Sequence, residues 1–224
     1  MGSRYHINIE DYSLGKFKAN LRSRDMIPSR VSLKDALDER FSIMEKAGTT
    51  NLKELTDTLK TKQKIALFSD QSGLTIEYLT LIKREAASYL PNPVRLDKFR
   101  GISSEYIQLL ESEGITNSKH LFDRASRQID RGQMAQNTHI PIEIMDELVC
   151  LSDLVRVYGV GPVFARMIYD VGIKTVKDFA ENSAEEFIRI YEQKEQKKAD
   201  FGVNEIQFSL ELAKELEIAV ELDI

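Results

Sequence analysis

The sequence predicts an all-α protein assembled from three consecutive helical repeats, the first of them degenerate, in a compact multi-helix assembly. Three observations predict it. Aligned without gaps on a glycine, Ala36 to Gly48 matches Ile102 to Gly114, and both match Val160 to Gly172, so the glycines lie 66 residues apart (48 to 114) and then 58 apart (114 to 172). Downstream, Lys53, Lys119 and Lys177 stand five residues after each glycine, while Leu55, Leu121 and Phe179 stand seven after. Finally, with 11 Gly and 5 Pro in 224 residues and little apolar–polar alternation, the chain lacks the punctuation of a β protein.

The elements follow in order. Residues 1–30 read as an N-terminal extension, with Tyr5 to Ile9 as a short strand and Leu14 to Arg24 as a helix. The first repeat covers 31–92, with helices over 33–47, 51–59, 62–69 and 74–89, and it ends at Pro91-Asn-Pro93, which stops a helix and extends the linker. The second covers 93–150, with helices over 96–99, 103–113, 117–125, 130–136 and, running into the third repeat, 141–157. The third covers 151–224, with helices over 162–171, 175–180, 183–194 and 203–220, and an exposed helix end or loop at Gln193 to Asp200. Leu74 to Leu79 pairs with Ile140 to Met145, and Val203 to Phe208 is a looser third copy.

The most specific local signal is Tyr158-Gly-Val-Gly-Pro162. Gly159 and Gly161 let the backbone take positive φ and approach another molecule closely. Pro162 suits the first position of a helix, where its missing N–H costs nothing. The amides of Gly161, Val163 and Phe164 then point out of a helix N-terminus, whose partial positive charge favours an anion. Val163, Phe164, Met167, Ile168 and Val171 fall at helical spacing, and Gly172 stands where a left-handed C-cap belongs.

Gly-Val-Gly-Pro-Val-Phe-Ala-Arg followed by Asp-Val-Gly-Ile-Lys-Thr-Val-Lys-Asp-Phe resembles the helix-hairpin-helix motif, and is similar to the copy in the DNA-binding region of family X DNA polymerases. The resemblance implies that Gly159, Gly161, Val163 and Phe164 donate amides to a backbone phosphate, and that the carbonyls of Val155, Val157 and Val160 ligate a potassium or sodium ion. Arg166, Lys174 and Lys177 are the cations that accompany this hairpin in sequence. In the second repeat Arg100-Gly-Ile-Ser-Ser104 keeps Gly101 and replaces the other glycine by Ser103, which makes a weaker site. Asp35-Ala-Leu-Asp38 in the first has no glycine and two carboxylates, which would repel phosphate. The polymerase catalytic domain is not visible. Over residues 36–218 the chain also resembles uncharacterised bacterial and archaeal proteins built from tandem helix-hairpin-helix units, a resemblance that implies architecture and no activity.

Charge opposes strong nucleic-acid binding, with a net value of −5. Residues 1–100 carry 18 Lys+Arg against 13 Asp+Glu, whereas residues 101–224 carry 13 against 23. The basic groups are Lys16, Lys18, Arg22, Arg24, Arg30 and Lys34, relieved only by Asp25, and then Lys83, Arg84, Arg95, Lys98 and Arg100; Glu205 to Asp223 is acidic. A Walker loop, a metal-ligand spacing and a Gly-x-Ser-x-Gly nucleophile are all absent, and His6, His120 and His139 are scattered. The lone Cys150 forms no internal disulfide, no apolar run reaches the roughly 18 residues of a membrane span, and Met1-Gly2 lacks the Ser or Thr that myristoylation wants at His6. A cytoplasmic, non-enzymatic protein without a cofactor is expected, unless the monovalent cation counts as one. It would bind DNA or RNA backbone without sequence specificity. The alternative is a protein-interaction scaffold or a homo-oligomerising helical module that has lost DNA binding.

Overall fold

Helix boundaries in this chain are set by short polar side chains. The hydroxyl or amide oxygens of Ser13, Asn51, Thr61, Thr75, Ser103, Asn117, Thr175 and Ser183 each accept a first-turn amide, satisfying donors that a helix start leaves over. In the computed structural model, which describes residues 4–24, 26, 28–220 and 222, the protein is all-helical. Extended pairing among those residues is confined to two isolated bridges, Ser13 with Asn51 and Arg95 with Asn117. Met1, Gly2, Asp25 and Asp223, which entered the sequence reading, lie outside the described residues.

The chain divides into two compact units, residues 7–90 and, around them in sequence, residues up to His6 with those from Pro91 onward. The smaller unit contains α1 (Leu14–Ser23), a 3-10 turn (Pro28–Lys34), α2 (Leu37–Lys46), α3 (Leu52–Thr58), α4 (Lys62–Ser72) and α5 (Ile76–Ser88). Helix α5 packs on α3, α4 and the 3-10 turn. The larger contains a 3-10 turn (Leu96–Lys98), α6 (Ser104–Ser112), α7 (Ser118–Ala125), α8 (Gln128–Thr138), α9 (Ile142–Leu154), α10 (Pro162–Asp170), α11 (Val176–Ala180), α12 (Ala184–Glu195) and α13 (Val203–Ala213). There α9 packs on α7, α8 and α10, and α13 packs on α11 and α12.

One local geometry occurs three times. Gly48, Gly114 and Gly172 take φ values of 88°, 74° and 96°, which only glycine adopts without strain. Each is followed by an amide that reaches back five residues to the preceding helix: Thr49 to Met44, Ile115 to Leu110 and Ile173 to Ile168, at 3.0, 2.9 and 3.2 Å. This closes the helix in a Schellman turn. Three residues further on, the capped helices α3, α7 and α11 begin. Their first amides find three different acceptors, the Tyr12 carbonyl for Leu52, the Val94 carbonyl for Ser118 and the Asp153 carboxylate for Val176.

Three expectations are corrected. No strand forms at Tyr5 to Ile9. Tyr5 is buried instead, its hydroxyl sharing a 2.5 Å hydrogen bond with Ser118 and its carbonyl accepting from Arg156. The helix expected over 33–47 is broken at Ala36, whose φ is 45°. Buried Glu85 on α5 is paired with both Arg24 and Arg30, which draws the 3-10 turn across α5 and forces the chain to bend before α2. The last helix stops at Ala213 rather than 220, because Glu217 gives its carbonyl to Arg156 and Val220 is buried.

Arg156 organises the larger unit. Its side chain is fully buried and ion-paired with Asp153, while its other nitrogens donate to the carbonyls of Tyr5 (3.0 Å), Arg4 (3.0 Å) and Glu217 (2.9 Å), and its guanidinium lies 4.2 Å from the Phe122 ring centroid. Asp153 uses its second oxygen on the Val176 amide. Removing one member of such a pair leaves an uncompensated buried charge. Asp153→Ala is therefore expected to lower stability by about 3–5 kcal/mol, read as a fall in the urea midpoint of the larger unit.

His6 adds a pH dependence. Its ring nitrogen is 2.9 Å from the Pro91 carbonyl, and burial, helped by Lys119 and Arg156, holds its pKa below the ordinary 6.5. A depressed folded pKa means that the unfolded chain takes up the proton first, so the stability is present above 6.5 and is lost as pH falls through that window. Urea melts from about pH 7.5 to about pH 5.5 should show this loss, and His6→Gln should flatten it.

Candidate functional site at the third hairpin

The hairpin begins where α9 runs out. Arg156 and Val157 donate amides to the carbonyls of Asp153 and Leu154, and Val160 donates to Val157 at 3.1 Å, winding residues 154–160 into successive tight turns. Gly159 takes a φ of 79°. Gly161 is extended, with φ −86° and ψ 176°, and caps α10, while Pro162 fills its first turn. Val160 is buried and plugs the turn into the core, whereas Gly159, Gly161 and Val163 face solvent.

Support comes from beneath. Phe164 lies against Phe187 and Phe201, and the same cluster includes Phe179 and Tyr191. The Tyr158 ring meets Phe208 of α13 edge-on at 4.9 Å. Gly159 is closely approached as well, since a Cβ there would sit 3.4 Å from the Ser209 hydroxyl. At Gly161 a Cβ would meet nothing within 4 Å.

The amides of Gly161, Val163 and Phe164 have no backbone acceptor among the described residues, the first intrahelical bond being Ala165 to the Gly161 carbonyl at 2.8 Å. Helix α10 carries no acidic residue in its first turn. The starts of α6 and α2 carry the carboxylates that α10 lacks. Gly101 is also left-handed, with φ 85°, but Ser103 spends its hydroxyl on the Glu105 amide and Glu105 places a carboxylate in the first turn of α6. In the first repeat Asp38 and Glu39 occupy the first turn of α2.

The remaining candidate residues are dispersed. Arg166 is held by Glu147 at 2.5 Å and Asp170 at 3.3 Å, with its guanidinium over Gly101. Lys174 lines a cavity of about 700 Å³ with Arg131, Asp146, Cys150 and Tyr169. The three repeated lysines part company: Lys53 pairs with Asp57 and Lys119 with Asp123, whereas Lys177, with Glu181 four residues on, forms no ion pair among the described residues. The carbonyls of Val155, Val157 and Val160 all belong to buried residues flanking the turn, and that of Val157 already serves the Val160 amide. Burial pushes the Cys150 thiol up to about 12, too high for a thiolate nucleophile at neutral pH. No cluster of His, Cys, Asp and Glu suited to a metal occurs among the described residues, and none of their helices is long and apolar enough to cross a membrane.

Sequence reasoning missed the Asp153–Arg156 pair. A visible signal existed: Arg156 is the one charge within the apolar run Leu154-Val-Arg-Val157, three residues after an acid that could pair with it.

Fold and site together define an all-α protein in which a backbone-lined turn, rather than a set of convergent side chains, is the chemically distinctive feature. Residues 100–216, which include the second and third hairpins, match the family model described as Domain of unknown function (DUF4332), and the chain belongs to that family. No curated protein and no solved structure matches the chain.

Gly159→Ala tests the local strain. A left-handed alanine costs about 1–2 kcal/mol, and its methyl would press on Ser209, so urea unfolding should register a destabilisation of at least that size. Gly161→Ala, which needs neither a positive φ nor extra room, should change stability by less than about 1 kcal/mol.

Proposed function

We propose that the protein is a non-enzymatic, tandem helix-hairpin-helix protein that holds the sugar-phosphate backbone of nucleic acid, without reading bases, through its third hairpin. The observation that carries this reading is the set of three amides at Gly161, Val163 and Phe164, without a backbone acceptor among the described residues, at a helix start where Gly161 and Val163 are exposed and the first turn holds no carboxylate. Backbone amides at a helix start are suited to a phosphate oxygen and carry no sequence preference. Gly161 leaves the approach open. A potassium or sodium ion on the carbonyls of Val155, Val157 and Val160 would add positive charge behind the same turn. Lys177 belongs to the set as a cation with no ion pair among the described residues, and Arg166 does not, because Glu147 and Asp170 neutralise it. In the second hairpin the Ser103 hydroxyl and Glu105 leave Gly101 and Ser103 a subordinate role.

A second reading, a protein-interaction scaffold, is favoured by one feature, the isoleucines Ile129 (86% exposed) and Ile142 (42%) at the rim of the cavity that Lys174 lines. Fluorescence anisotropy with labelled single- and double-stranded DNA and RNA, at low and moderate salt, separates the two. Backbone binding predicts weak, salt-sensitive affinity that is indifferent to sequence and falls at least about tenfold in Gly161→Asp, a loss of roughly 1.4 kcal/mol. Equal affinity in that variant would sink the hairpin reading, and no retention at low salt would favour the scaffold.

A further inference from the structure

Most cations outside the hairpin region are used within the fold. Lys18 and Arg22 meet Asp38, Arg24 and Arg30 meet Glu85, and Lys53 meets Asp57. The corner between α3 and α4 breaks this habit. Lys60, Lys62, Lys64 and Lys83 form no ion pair among the described residues. Two of the four are fixed by backbone instead: the Lys64 ammonium donates to the Asp57 carbonyl at 2.9 Å, and that of Lys83 to the Lys60 carbonyl at 2.7 Å. The Lys64 ammonium is thereby held at the last turn of α3 and that of Lys83 at Lys60, in the link that leads to Lys62 and α4. Asp57, the carboxylate of this turn, is already held by Lys53. Asp57 also acts on Lys60 and Lys64, but one carboxylate shared among these lysines leaves an excess of like charge, which projects a positive potential into solvent.

We propose that this corner is a docking surface for the phosphodiester backbone of a nucleic-acid duplex. Lysine ammoniums are compact point charges that neutralise phosphates without reading sequence. The aromatic residues of these helices, Phe68 and Tyr78, are buried, so no exposed ring is present here for unpaired bases to stack on, and a duplex backbone fits better than a single strand. Among the residues of α4 one large apolar side chain, Leu67, is exposed, which is too little apolar surface to enter a lipid interface. The surface shares its ligand with the hairpin reading and none of its residues.

The test uses the full chain with the Lys60→Gln, Lys62→Gln, Lys64→Gln triple variant and a short labelled DNA duplex, titrated over a range of salt. Three lost phosphate contacts should lower the slope of log Kobs against log salt by about 2–3, and should weaken binding at least about tenfold at roughly 50 mM salt. The corresponding triple arginine variant should keep the original slope. An unchanged slope in the glutamine variant overturns the proposal, as does a comparable loss in the arginine variant, which would mark the effect as structural. Stronger retention on phosphatidylserine vesicles than on the duplex overturns the choice of partner. Gly161→Asp in the same titrations separates the two readings: loss there alone leaves the hairpin standing and the corner refuted, and loss in the glutamine variant alone does the reverse.

Discussion

The larger unit hangs on one fully buried guanidinium. Arg156 neutralises Asp153 and meets three carbonyls that come from two distant stretches of chain, Arg4 and Tyr5 on one side and Glu217 on the other. A buried arginine is tolerated when its donors are spoken for and its charge is matched, and both conditions hold here. The arrangement also dictates local geometry. Arg156 lies in the tight turns between α9 and the third hairpin, so fixing its side chain fixes the backbone that enters Tyr158 to Pro162. Asp153 then reaches across to the first amide of α11. The hairpin is thus clamped on both flanks by one ion pair.

Charge is distributed by a similar economy. The basic N-terminal stretch is largely paired, Lys18 and Arg22 with exposed Asp38 and Arg24 and Arg30 with buried Glu85, with Lys16 over the Tyr12 ring and Lys34 on the Arg22 carbonyl. Counting charges along the sequence therefore overstated what that segment presents to solvent. Conversely, the lysines at the α3–α4 corner, which form no ion pair among the described residues, did not stand out as a run. A linear tally sees cations, while potential at a surface depends on which of them have met a carboxylate.

Much of the fold was legible because its signals are local. The glycines at 48, 114 and 172 close helices through φ values available to glycine, and Asn51, Asn117 and Thr175 open the next ones through side chains of fixed reach. Most helix boundaries could be read within two or three residues for that reason. What escaped depends on contacts between residues far apart in sequence. Tyr5 leaves any strand pattern to meet Ser118 and Arg156, Ala36 bends because Glu85 recruits Arg24 and Arg30, and the chain after Ala213 uncoils to bring Glu217 to Arg156. At the hairpin, the glycines and proline announced the turn and its open amides. The neutralisation of Arg166 by Glu147 was not announced, since nineteen residues separate them.

The path of the chain through its two units carries a further implication. Residues up to His6 belong to the larger unit, the chain then departs to build the smaller one, and it returns at Pro91, whose carbonyl lies 2.9 Å from the His6 ring. The points of departure and return are neighbours. Topologically the smaller unit is a guest, spliced into a host whose own path is continuous across the junction. Such insertions succeed where entry and exit lie close together at a surface. The larger unit, from Pro91 onward and joined by the short leading segment, can therefore be traced without the smaller one.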